Sequence, residues 1–240
     1  VSSLEPFTRL ISVGLIMAED GKKMSKRYGN VINPDDIVET YGADTLRIYE
    51  MFMGPFTDAI AWKTASLIGA RRFLERVWRA QDAFATEPNA EVERTLHQTI
   101  KKVGEDIEHF KFNTAISQMM ICVNAAEKNG ITKEQYQSFM TILAPFAPHM
   151  AEEIWRELGN RSSVHVAPWP TFDESKLMAD TVTIAIQVNG KTRTEIALPR
   201  DMGEAEATKA ALEAAAKWLE GKVPKRVIFV PNRLINLVLA

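Results

Sequence analysis

A mainly α-helical chain carrying a small α+β domain is what this sequence predicts. Three observations carry that expectation. Apolar residues recur at helical spacing through most of residues 63–160. From Thr181 the period becomes two, with Val182, Ile184, Ile186 and Val188 alternating. Asn189-Gly190 follows at once, and it is the strongest short hairpin signal in the chain.

The elements follow in order. Residues 1–62 begin with apolar pieces broken by Gly, Pro and charge, and "RLISVGLIM" reads as a strand or two entering a basic loop. Asn33 is placed to cap a helix, with Pro34 at its first position and Asp35 and Asp36 facing the positive end. Gly42 stops it, and a second helix runs through "ADTLRIYEMFM". Residues 63–160 then read as an antiparallel bundle. In its first helix Leu67, Ala70, Leu74, Val77 and Trp78 form the apolar stripe. "EVERTLHQTIKKVGEDIEHF" and "FNTAISQMMICVNAAEKN" give the next two, the latter closed by Gly130. Thr132 caps a fourth, with Glu134 and Gln135 in its first turn, and Pro145 and Pro148 must kink or split it. Residues 161–180 form a Pro-rich linker that Trp155 and Trp169 are expected to anchor. Residues 181–240 make a ββαββ unit: two strands around Asn189-Gly190, an Ala-rich helix near 204–219, then "RVIFV" and "LINLVL".

Composition narrows the function classes. The 240 residues are 46% apolar and 25% charged, so a sizeable core is expected. No apolar run approaches the ~20 residues that span a bilayer, so no membrane role is expected. The start "VSSLEPFTRL" lacks both a secretory pattern and an initial Met, and it reads as a processed chain or a piece of a longer one. One cysteine, Cys122, forbids an internal disulfide and suits a reducing, cytoplasmic setting. The four His lie far apart with no Cys at metal spacing, so no metal site is expected. A net charge of −2 gives no overall pull toward nucleic acid, and any such binding must come from local patches.

One local patch stands out. "AEDGKKMSKRYGNVINPDD" sets Lys22, Lys23, Lys26 and Arg27 between Gly21 and Gly29. Clustered ammonium groups on a loop with Gly hinges suit a polyphosphate, most of all one on which charge builds during transfer. Ser25 adds a hydroxyl, and Met24 can turn inward as an anchor. By composition alone, the same run reads first as a solvated charge cluster.

The order of residues goes further. "KMSKR", "GN", "PDD" and "YGADTLR" together resemble the signature region of class I aminoacyl-tRNA synthetases, usually written K-M-S-K-S. "MFMGPF", "GARRFLERVW", "FNTAISQMM", "LAPFAPHMAEEIW" and "IQVNGKTR" are similar to leucyl-tRNA synthetases, so that the resemblance covers essentially the whole chain. It implies a signature loop and stem-contact segment, a bundle of the anticodon-binding type, and a small C-terminal tRNA-binding unit. It also implies ATP with Mg2+, leucine and tRNA(Leu) as ligands of a monomeric enzyme. Lys26 would contact the ATP phosphates, Lys23 would support the loop and the pyrophosphate side, and Met24, Ser25 and Arg27 would complete the site. Arg27 stands where the family usually has Ser. The partner motif H-x-G-H is absent from these 240 residues, so the chain alone is expected not to activate leucine.

RNA contacts are expected at Arg72, Arg76 and Arg79 on the first bundle helix, and at Lys191, Arg193, Lys225 and Arg226 in the C-terminal unit. That unit holds nine Lys or Arg against six Asp or Glu. Ordinary solvated surface remains the alternative for both sets. His149 is expected to pack at the helix kink, and Met119, Met120 and Cys122 to fill the core. Competing readings are the same region of a valyl, isoleucyl or methionyl enzyme, a stand-alone RNA-binding module with a vestigial loop, or a self-sufficient nucleotide enzyme, against which the lack of a Gly-rich phosphate loop argues.

Overall fold

Capping chemistry sets the helix boundaries. Asn33 accepts from the Asp35 N–H to open α1 (Pro34–Tyr41), and Gly42, at φ 90°, ends it before α2 (Ala43–Phe52). The structure, a computed structural model, describes Phe7 and residues 9–178, 181–219 and 221–239, and it divides into two units after Leu177.

In the first unit β1 (Ile16–Met17) pairs in parallel with β2 (Ile60–Ala61). The strand expected from "RLISVGLIM" is thus only two residues long, and its partner had no signal of its own. Gly14 explains how the segment fits: its N–H donates to the Phe56 carbonyl at 2.9 Å, and a Cβ there would collide with the backbone of Asp58. The bundle follows as α3 (Leu67–Arg79), α4 (Ala90–Glu108), α5 (Phe112–Asn129), α6 (Lys133–Leu143) and α7 (Pro148–Glu157). Asn89 caps α4 through the Glu91 and Val92 amides, and Thr132 and Gln135 form a reciprocal capping box on α6.

Helix α3 buries Leu67, Ala70, Phe73, Leu74 and Val77. Phe73 takes the place expected of Trp78, because Trp78 lies past the edge of the stripe and is exposed. Tyr136, Phe139, Phe146 and Met119 are fully buried alongside, each stabilising by roughly 1.5–3 kcal/mol. Tyr136 Oη donates to the Val77 carbonyl at 2.7 Å, which leaves its polar tip satisfied. Cys122 is buried as expected, and burial pushes its thiol up to about 12. Met120 is only partly buried.

Pro145 and Pro148 split the fourth helix rather than bend it. Two residues of α2 serve the broken ends. Arg47 donates to the carbonyls of Pro145 at 2.7 Å and Phe146 at 3.3 Å. Asp44, itself buried, accepts from the Met150 N–H at 2.8 Å and from His149 Nδ1 at 2.8 Å. His149 is therefore not packed at the kink. Its ring lies on the surface, with a side chain 75% exposed, and among the described residues it is held by that carboxylate. Beyond α7, Trp155 Nε1 donates to Ser162 O at 2.8 Å, and residues 171–177 are strapped onto α4. There Asp173 N–H donates to His97 Nδ1 at 3.1 Å, Lys176 pairs with Glu93 at 2.6 Å, and Gln98 donates to Leu177 O. The final linker residues, 179 and 180, lie outside the described residues.

The second unit is the expected ββαββ: β3 (Thr181–Val188), β4 (Lys191–Pro199), α8 (Glu204–Leu219), β5 (Arg226–Val230) and β6 (Leu234–Val238). Strand order is β4-β3-β6-β5, with β3 and β6 parallel and the other pairs antiparallel. Ala207, Ala211 and Ala215 recur every fourth residue, so α8 can lie close on Ile184, Ile186, Val188, Ile235 and Leu237. Among the described residues no helix is long and apolar enough to cross a membrane.

Candidate phosphate-binding loop and RNA-facing surfaces

The basic loop leaves β1 and folds back on it through a bridge between Met17 and Lys23. A tight turn at 18–21 closes with the Gly21 N–H on the Ala18 carbonyl, and Gly21 takes φ 75°. Glu19 accepts from the Thr64 N–H at 3.0 Å, which moors the turn beside β2 and lowers the carboxyl's pKa. Ser25 Oγ caps a single 3-10 turn over Lys26–Tyr28, and Gly29, at φ 64°, ends it. Asn30 holds both sides together. Its Oδ1 accepts from Ser25 N–H at 2.9 Å and its Nδ2 donates to Lys23 O at 3.4 Å. Met24 turns inward against the bundle core, as expected.

This framework sorts the charges. Lys22 is spent locally on Asp20 at 3.7 Å. Lys23, Lys26 and Arg27 are exposed and have no anionic partner among the described residues. Ser25 already accepts the Arg27 N–H at 3.3 Å, so its hydroxyl can offer a ligand its proton. Three unpaired cations around one capped turn can hold a polyphosphate. Asn30 is the member that sequence reasoning passed over. Its only signal was an Asn directly after the Gly that ends the turn.

The helical arginines do not form an even row. Arg76 is engaged by Glu127 at 2.8 Å and by Asn124, and the Glu127 contact raises its pKa. Arg79 donates to the Glu75 carbonyl at 3.3 Å, and Arg72 is exposed with no partner among the described residues. The cations of the second unit share one end of the sheet without forming a single cluster. Cross-strand register places Lys191, Val188, Leu237 and Val227 in one row, with Arg226 opposite Val238 one step further and Lys225 beside it. The strands carrying Lys191 and Arg226 are the sheet's two edges, roughly 14 Å apart at three strand spacings. Arg193 falls in the β-bulge opposite Ile186 and Gln187, without a paired residue. All four side chains are exposed at or near one end of the sheet. Among the described residues no group of three or more His, Cys, Asp or Glu could hold a metal ion.

Residues 1–63 match the family described as tRNA synthetases class I (I, L, M and V). Residues 89–208, half of the chain, match the anticodon-binding domain of tRNA ligase. The chain is similar at 32% identity, with a TM-score of 0.76, to the crystal structure of the ternary complex of Agrobacterium radiobacter K84 agnB2 LeuRS, tRNA and LeuAMS. The match covers 98% of this chain and 34% of that one, so the chain spans about a third of the length of the solved protein.

Proposed function

The chain belongs to the class I tRNA synthetases of the isoleucyl, leucyl, methionyl and valyl group, with an anticodon-binding domain, and on that premise we propose that it is part of a leucyl-tRNA synthetase. In this reading it supplies the loop that meets the ATP phosphates and the surfaces that hold tRNA(Leu). The observation that carries it is the loop itself, in which Lys23, Lys26 and Arg27 stand unpaired around a turn fixed by Ser25 and Asn30. Leucine rather than another amino acid is supported by the 32% identity to the LeuRS over 98% of this chain.

The chemistry asked of the loop is electrostatic. As leucine's carboxylate attacks the α-phosphorus, negative charge grows on the leaving pyrophosphate. Lys26 Nζ neutralises that charge, and Lys23 steadies the same side. Both act without reorganising, because the turn is capped before the nucleotide arrives. Mg2+ fits as an ion that enters with the nucleotide oxygens. Arg27 keeps the loop cationic where a hydroxyl is usual. The cationic sheet end and Arg72 take tRNA phosphates, contacts that position the RNA without reading its sequence. Cytoplasmic location and a monomeric state complete the proposal.

The test uses leucine-dependent ATP–pyrophosphate exchange. In the intact enzyme, Lys26→Ala should depress exchange and leave tRNA affinity near wild type. A variant that lost tRNA affinity with unchanged exchange would reject the assignment. The 240-residue chain by itself should show no exchange, and leucine-dependent exchange by that chain would show that the adenylation site does not need the missing H-x-G-H half.

A further inference from the structure

Asn189 and Gly190 form the turn between β3 and β4, both with left-handed φ values of 51° and 77°. An Asn followed by Gly is also the pair most prone to lose its side-chain amide, since Gly places no Cβ beside its own nitrogen. In that reaction the Gly190 amide nitrogen attacks Asn189 Cγ. A new N–C bond closes a five-membered imide, the Cγ–Nδ2 bond breaks, and ammonia leaves with the Gly190 amide proton. Water then opens either imide carbonyl, which gives Asp or its isomer linked through the β-carboxyl. The balance is one water consumed and one ammonia released.

The turn is held at each reacting atom. Gly190 N–H donates to Asn236 Oδ1 at 3.0 Å, so the nucleophile is tied to β6. Asn189 N–H donates to the Leu237 carbonyl at 3.0 Å, which fixes the backbone on the other side. Asn189 Oδ1 accepts from the Leu239 N–H at 2.8 Å, so the electrophile is tied to a different group of the same chain end. Attack requires the Gly190 nitrogen to leave Asn236. Once it has left, the Leu239 N–H lies on the oxygen where negative charge develops, and the same contact that fixed the side chain now assists the step.

We infer that Asn189 is a deamidation site whose rate is governed by Asn236. The conversion would put a carboxylate at the sheet end that carries Lys191, Lys225 and Arg226. In the isomerised form it would also insert a backbone atom where the hairpin register is set. A loss of tRNA affinity on ageing rests on the function proposed above. The conversion itself does not.

The experiment is an incubation of the purified chain at mildly alkaline pH, with peptide mass mapping of the amide-to-acid change and separate detection of isoaspartate. Folded wild type should convert at least about fivefold more slowly than urea-unfolded wild type, and Asn236→Ala should be about fivefold faster than folded wild type. Asn236→Asp keeps an acceptor for Gly190 N–H and should stay near wild type. Equal rates for folded and unfolded wild type, or a folded Asn236→Ala at the wild-type rate, overturn the inference. If circular dichroism shows Asn236→Ala to be unfolded, the wild-type comparison and Asn236→Asp decide the matter, an accelerated Asn236→Asp counting against it. A converted protein that binds tRNA unchanged would overturn only the functional consequence.

Discussion

The two cationic groups of this chain are assembled in opposite ways. The loop gathers Lys23, Lys26 and Arg27 within five residues and fixes them with local bonds from Ser25 and Asn30. The sheet end carries Lys191 on one edge strand, with Arg226 on the other and Lys225 just before it, and only register brings them to one end. A local cluster keeps its geometry as long as one turn survives. A register-built group depends on a whole folded unit, but it presents a wider surface. The first suits a compact, highly charged ligand, and the second suits a backbone whose phosphates are spread out.

Substitutions can break or sharpen that contrast. The largest effect is expected from Lys26→Ala, roughly a hundredfold to a thousandfold loss of pyrophosphate exchange in the intact enzyme. Combined Ala replacement of Lys191, Lys225 and Arg226 should leave exchange intact and weaken tRNA binding. The log–log salt dependence of that binding should become shallower by about 0.9 per lost phosphate contact, and an unchanged slope would remove the sheet end from the RNA surface. Asn30→Ala tests whether the loop is preorganised. It removes bonds on both sides of the turn and should cost about fivefold in exchange with all charges present.

The smallest effect concerns the strap rather than either cationic group. Burial and the nearby Lys176 hold the His97 pKa below its ordinary 6.5, while Glu93 and Asp173 oppose them. His97 therefore binds a proton more readily with the strap undocked than with it docked. The contribution of this contact is present above pH 6.5 and fades as pH falls below it. Protection of the Asp173 amide, its exchange measured relative to the intrinsic chemical rate, should fall on acidification because that N–H donates to His97, and His97→Ala should erase that pH dependence. An Asp173 amide insensitive to pH beyond the intrinsic chemical rate would remove His97 from the strap.

Local chemistry was legible in the sequence, and pairing at a distance was not. Asn33, Thr132, Gly42 and Gly130 set their helix ends through bonds to near neighbours, and the ββαββ order follows from one hairpin signal and one change of period. By contrast β1 and β2 pair over two residues each, 44 positions apart, which leaves no periodicity to detect. Trp78 extends an apolar run in the sequence, yet the buried stripe of α3 passes through Phe73 and leaves Trp78 exposed. His149 has the local sequence of a packing residue, but Asp44, 105 positions away, holds it at the surface. At the site, the order of the loop residues marked Lys23 and Lys26. Neither the bonds of Asn30 nor the common placement of the sheet-end cations could be read without the fold. The uneven roles of Arg72, Arg76 and Arg79 likewise depend on Glu127 and Asn124 of another helix.

Helix α2 has a mechanical consequence. Arg47 holds the carbonyls of Pro145 and Phe146 in the turn after α6 and Asp44 holds the leading end of α7, so this one helix splints the fracture at Pro145–Pro148. The segment that follows the loop is thereby fixed to the bundle both within this break and just after it. The loop shares this anchorage, because Met24 packs against the same core and Asn30 ties Lys23 and Ser25 across its base.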